Sequence, residues 1–163
     1  MQSSAQAALI AAATLALTLH PGAARGSDVP PVEPAALLKW LQAGSYRQWP
    51  GESGPHRSMG PHQGLVVTYL NPALDKSMAA KAAAHPKGSA AVKELQDASG
   101  KLAGWAVSVK TAADSDGGKG WYWYEILGTT PAGTVTAQAN GAPLCSACHM
   151  RGKDFLLIPH PLD

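Results

Sequence analysis

The feature that most limits what this chain can become is Cys145-Ser146-Ala147-Cys148-His149, which holds the only two cysteines among its 163 residues. C-x-x-C-H is the spacing of a c-type haem attachment site. Two thiols three residues apart can add across the two vinyl groups on one haem edge. The next imidazole then lies beneath the ring, where a nitrogen can bind iron. A redox dithiol also reads C-x-x-C, although it commonly opens a helix after an early strand. Here the motif comes late, after a Gly/Pro-rich stretch. A zinc site would need two further ligands at ligand spacing, and the remaining histidines are scattered. Haem attachment is therefore the favoured reading. It uses both thiols and leaves none for a disulfide, so stability must come from the core and from the haem itself.

Residues 1–26 read as a secretory signal peptide. Ala7 to Leu19 is an apolar run, short for a membrane span, and small residues follow at Gly22, Ala23, Ala24 and Gly26. Cleavage is expected between Ala24 and Asp28. Attachment of c-type haem takes place outside the bacterial cytoplasm, so an exported, periplasmic chain and the motif support each other. Losing Arg25 leaves 12 basic against 11 acidic side chains. No basic stripe is present, which argues against nucleic acid as a partner. After cleavage no membrane segment is expected. The roughly 135 residues that remain suffice for one core.

Residues 27–44 read as a linker and an N-terminal helix, and 45–163 as the haem domain. Pro30, Pro31 and Pro34 mark the linker. Leu37, Leu38 and Leu41 recur at helical spacing within Ala35 to Gln42, and Gly44 stops that helix. Trp49 to Pro61 reads as loop. Leu65 to Leu70 is rich in β-branched residues and reads as a strand ended by Asn71-Pro72. Ala73 to Ala84 carries strong helix formers. Strands are expected over Ser89 to Gln96, Leu102 to Thr111 and Trp121 to Leu127, joined by short turns as in an antiparallel meander. From Thr129 the chain reads as loop, then the haem-binding turn, then the apolar end Phe155 to Ile158. The fold expected is mainly β: an antiparallel sheet with a few short helices and haem attached near the C-terminus.

Alternation along the strands separates two faces. Ala103, Trp105, Val107 and Val109 look like core. Gly104, Ala106, Ser108 and Lys110 present small side chains that leave room for a flat object or for a closely packed helix. In the preceding strand Lys93 falls between Ala91 and Leu95 on the drier face, while Glu94 and Gln96 suggest that the other face is wetter at its end. By pattern alone Lys93 reads as a lysine snorkelling at a sheet edge.

Five pieces together resemble one family. They are Tyr46-Arg47-Gln48-Trp49, Val67-Thr68-Tyr69-Leu70-Asn71-Pro72, Pro86 to Glu94, Gly120-Trp121-Tyr122-Trp123, and Cys145 to His149. In this order they are similar to the cytochrome P-460 and cytochrome c′-beta family, over about residues 45 to 155. The resemblance implies a mainly antiparallel β fold, often a homodimer, with His149 on the proximal side of the iron. In the P-460 branch a lysine bonded to a haem meso carbon maps onto Lys93, and those proteins oxidise hydroxylamine. In the c′-beta branch there is no crosslink, and the haem binds nitric oxide.

Two departures stand out. The family's distal carboxylate, on the strand after the lysine, falls at Ala106, which cannot take a proton. Its distal phenylalanine is absent, and His62 stands in that segment instead. His62 could bond an iron-bound ligand, act as a displaced base, or ligate iron itself; it could equally be a loop residue in solvent. Met59 is a weaker axial candidate. The expected site is thus Cys145, Cys148 and His149 for haem c and its iron, with Lys93 and His62 for chemistry. The expected partners are a small nitrogen ligand or substrate and a redox cytochrome. A non-catalytic electron carrier with six-coordinate iron is the alternative.

Overall fold

Each strand of this protein pairs with its predecessor. In the computed structural model, which describes residues 28–62 and 64–163, six strands form one antiparallel sheet in sequence order. They are β1 (His56–Arg57), β2 (Leu65–Leu70), β3 (Ala90–Gln96), β4 (Leu102–Lys110), β5 (Trp121–Leu127) and β6 (Thr134–Asn140). Three short helices complete the fold: α1 (Pro34–Ala43), α2 (Pro72–Ala79) and α3 (Pro143–His149). The expected signal segment lies outside the described residues.

One face of the sheet is the core. Val92, Trp105, Val107, Val109, Tyr124 and Ile126 pack against Leu37, Leu38 and Leu41 of α1 and against Tyr46. The leucine spacing of α1 explains that seat. Its ends are capped by the Glu33 carboxylate and by Gly44, whose φ of 70° suits glycine. Asn71 joins the layers. Its side-chain oxygen accepts from the N–H groups of Leu74 and Ala90, and its amide donates to the carbonyls of Asp28 and Gly88.

The opposite face is divided. At one end Leu70, Leu74, Ala91, Trp121, Trp123 and Leu156 form a second apolar cluster. At the other end the face stays open, and that opening is the candidate site.

Four expectations are corrected. The helix expected to reach Ala84 stops at Ala79, and Lys81 takes a φ of 54°. The turn brings His85 back beneath Ser77, whose hydroxyl lies 2.9 Å from His85 Nδ1. The stretch after Thr129, expected as loop, contains β6. Its sequence does alternate, with Val135, Ala137 and Ala139 set between polar residues, although only Ala137 is buried. The expected loop over 49–61 contributes the two-residue β1. Finally, the core-side end of β3 is not wet, because Glu94 is only 4% exposed.

Candidate functional site

The floor of the site is a single row across the sheet. Thr68 pairs with Lys93, Lys93 with Ala106, and Ala106 with Glu125. Residues so paired point to the same face. The row therefore aligns a hydroxyl, an amine, a methyl group and a carboxylate on neighbouring strands. Above it opens a cleft of about 680 Å³, within the usual range for cofactor sites. A narrower pocket adjoins it, and His62, Thr68, Lys93, His149 and Ile158 line both.

The motif bounds this same space. Cys148 and His149 line the cleft, and Cys145 lines the narrower pocket. The His149 ring packs 4.5 Å from that of Trp123, centroid to centroid. Burial lowers the pKa of His149, which keeps the imidazole neutral. Its Nδ1 lies 3.0 Å from the Phe155 carbonyl oxygen. A carbonyl only accepts, so Nδ1 carries the proton and Nε2 keeps a bare lone pair. Metal-binding imidazoles are commonly arranged this way.

The two thiols are free. Burial pushes Cys145 up to about 11. A nucleophilic dithiol needs the opposite shift, so the redox-pair reading loses support. Trp123 lines the narrower pocket, and among the described residues its buried indole N–H has no hydrogen-bond partner. Two thiols and a neutral imidazole around these adjoining pockets are a set that a covalently held haem could use.

His62 is not a solvent-facing loop residue. Its side chain is 16% exposed, and Nδ1 donates to Glu125 Oε2 at 2.8 Å. That bond is the largest cause of the lowered pKa of Glu125, which is therefore an ionised acceptor. The His62 and His149 rings lie 6.5 Å apart, and His62 Nε2 is left available. Met59, by contrast, is 92% exposed at the cleft mouth.

Lys93 is on an interior strand, so the sheet-edge reading is overturned. Burial pushes its pKa down, while Glu52 and Glu125 act in the other direction. Among the described residues its ammonium has no hydrogen-bond or ion-pair partner. Ala106 and Ser108 line the pocket as expected. Gly104 is small for another reason: a Cβ there would come within 2.2 Å of the Ile126 carbonyl oxygen.

Glu125 escaped the sequence reading. Its signal was a lone charge inside the aromatic strand Trp121 to Leu127. The Tyr46-Arg47 and Glu94 pieces meet each other on the core face, away from the cleft. Tyr46 Oη donates to Glu94 at 2.6 Å, Arg47 Nε donates at 2.7 Å, and Trp105 Nε1 donates to Tyr46 Oη at 2.8 Å. Phe155, far from His62 in sequence, supplies the carbonyl that meets His149 Nδ1.

No protein-family model matches the chain, and no curated protein matches it.

Proposed function

We propose that this is an exported c-type haem protein that oxidises or binds small nitrogen compounds at an iron held by His149. The observation carrying this reading is the pairing of a neutral His149, its Nε2 unengaged, with the His62–Glu125 pair across one cleft. Cys145 and Cys148 would hold the ring, and Lys93 is the candidate for a further bond to its edge. When bound, the haem supplies the electron acceptor, and the chain's task is to manage protons. Each electron withdrawn from hydroxylamine is accompanied by a proton that needs a base. Ala106 offers none, but its cross-strand neighbour Glu125 is an ionised carboxylate. His62, bonded to that carboxylate, stands at the same pocket. This pair favours oxidation of hydroxylamine over simple capture of nitric oxide. The reading includes a periplasmic location, a redox cytochrome as electron partner and, by family resemblance, a homodimer.

The test is an absorption spectrum of pure protein, ferric and reduced, with intact mass on the same sample. Haem mass and a ferrous Soret band far to the red, lost in Lys93→Ala, are expected. Hydroxylamine turnover should then fall at least tenfold in Glu125→Gln. A colourless protein of unmodified mass, produced with haem maturation machinery, overturns the reading.

A second reading has one observation in its favour. The His62 and His149 rings lie 6.5 Å apart across the pocket, so both imidazoles would be at hand to hold one iron. Such a six-coordinate iron would carry electrons without turnover. Low-spin spectra in both oxidation states would favour it.

A further inference from the structure

Behind the site lies a buried ion pair that the proposed chemistry does not use. Lys110, at the end of β4, is 1% exposed, and its ammonium donates to Asp154 Oδ2 at 2.5 Å. The same oxygen accepts from the His85 backbone N–H at 2.6 Å. The other carboxylate oxygen accepts from the Ser115 hydroxyl, which in turn accepts from Trp121 Nε1 at 3.1 Å. Lys110 also stands over the Trp121 ring, 5.5 Å from its centroid. One carboxylate thus gathers three donors from three separate segments.

What this anchor holds is unusual. Asp154 and Phe155 are consecutive non-glycine residues at φ of 47° and 65°. Such backbone is costly, for phenylalanine especially, and persists only where the surroundings impose it. Its result is that the Phe155 carbonyl meets Nδ1 of His149 at 3.0 Å. An acceptor on Nδ1–H makes the imidazole more electron-rich at Nε2.

We propose that the Lys110–Asp154 pair is a positioning device for His149: it fixes the left-handed turn that presents the Phe155 carbonyl, and so sets the donor strength of the proximal nitrogen. Lys110 and Asp154 are positioning residues and touch neither cleft nor substrate. The pair's effect on an iron rests on the haem reading; its effect on the histidine tautomer does not.

Asp154→Asn keeps a side chain that tolerates the left-handed region but removes the charge that anchors it. It leaves Lys110 buried and alone, so Lys110→Met/Asp154→Asn is made beside it to remove that cost. In the haem-loaded protein, both variants should raise the reduction potential and lower the iron–histidine stretching frequency. Tyr46→Phe, on the other face, should leave both unchanged at a comparable loss of thermal midpoint. If the folded double variant keeps the wild-type potential and stretch, the proposal is wrong. Should the protein emerge without haem, the haem reading fails, and nitrogen-15 NMR of His149 decides the rest. The wild type should then show the Nδ1–H tautomer and Asp154→Asn a mixture. The same tautomer in both overturns the positioning role.

Discussion

Lys93 and Glu94 are neighbours in the chain, both largely buried, and they face opposite sides of the sheet. Glu94 receives hydrogen bonds from Tyr46 and Arg47, and Tyr46 is held in turn by Trp105. Lys93 donates none among the described residues and looks across a pocket at Glu125 and His149. A buried charge with its partners in place is a structural joint. A buried charge without them is costly, and a fold carries that cost where something else is to fill the space. The α1 side of the sheet therefore holds the molecule together, and the cleft side gives up stability to keep a site open.

The contrast can be broken by substitution. The largest effect should come from Trp105→Ala, with about 3–5 kcal/mol lost from unfolding stability on chemical denaturation. The visible spectrum of the surviving folded protein should stay as in the wild type. Tyr46→Phe should cost about 1–3 kcal/mol, because it leaves Glu94 and the Trp105 N–H each short of a partner. Lys93→Met should cost nothing or stabilise by up to about 1 kcal/mol, since it removes an unpaired buried amine, while altering the spectrum. If Lys93→Met lowers stability as much as Tyr46→Phe does, the division between the two faces is wrong.

A smaller effect sharpens the picture at the back of the site. Burial depresses the His85 pKa below its ordinary 6.5. The unfolded chain then binds the proton more readily than the folded one, so stability present above pH 6.5 is lost as the pH falls through the folded value. Burial alone would raise Asp154, but its bonds from the His85 N–H, Lys110 and Ser115 hold it below 3.8. Its contribution should survive to lower pH. Thermal midpoints should thus decline in two stages on acidification, and His85→Asn should remove the first.

The strands of the meander were legible because turn residues break the chain around them, and the core face of β4 because Trp105, Val107 and Val109 alternate with smaller residues. The motif was legible because its chemistry is local. What escaped depended on register. Glu125 joins Lys93 only because Ala106 pairs with both residues, and no spacing along the chain announces that row. Asp154 was hidden likewise, since Lys110, His85 and Ser115 reach it from well upstream. β6 was missed although Val135, Ala137 and Ala139 alternate with polar residues, because Pro131 and Gly133 just before it read as loop. His62 was named as a candidate, but its partner Glu125 could not be.

The order of the strands bears on how the protein is made. With every strand beside its predecessor, pairing can follow the chain as it emerges, the longest connection being the segment 71–89 that carries α2. The row from Thr68 to Glu125 is complete before Cys145 has been synthesised. A nascent chain could thus finish the floor of the cleft first, and the Cys145 to His149 segment would arrive last, at a surface already formed. Truncation after Asn140 should for that reason leave a sheet that still assembles, whereas loss of β3 should leave the motif with nothing to close against.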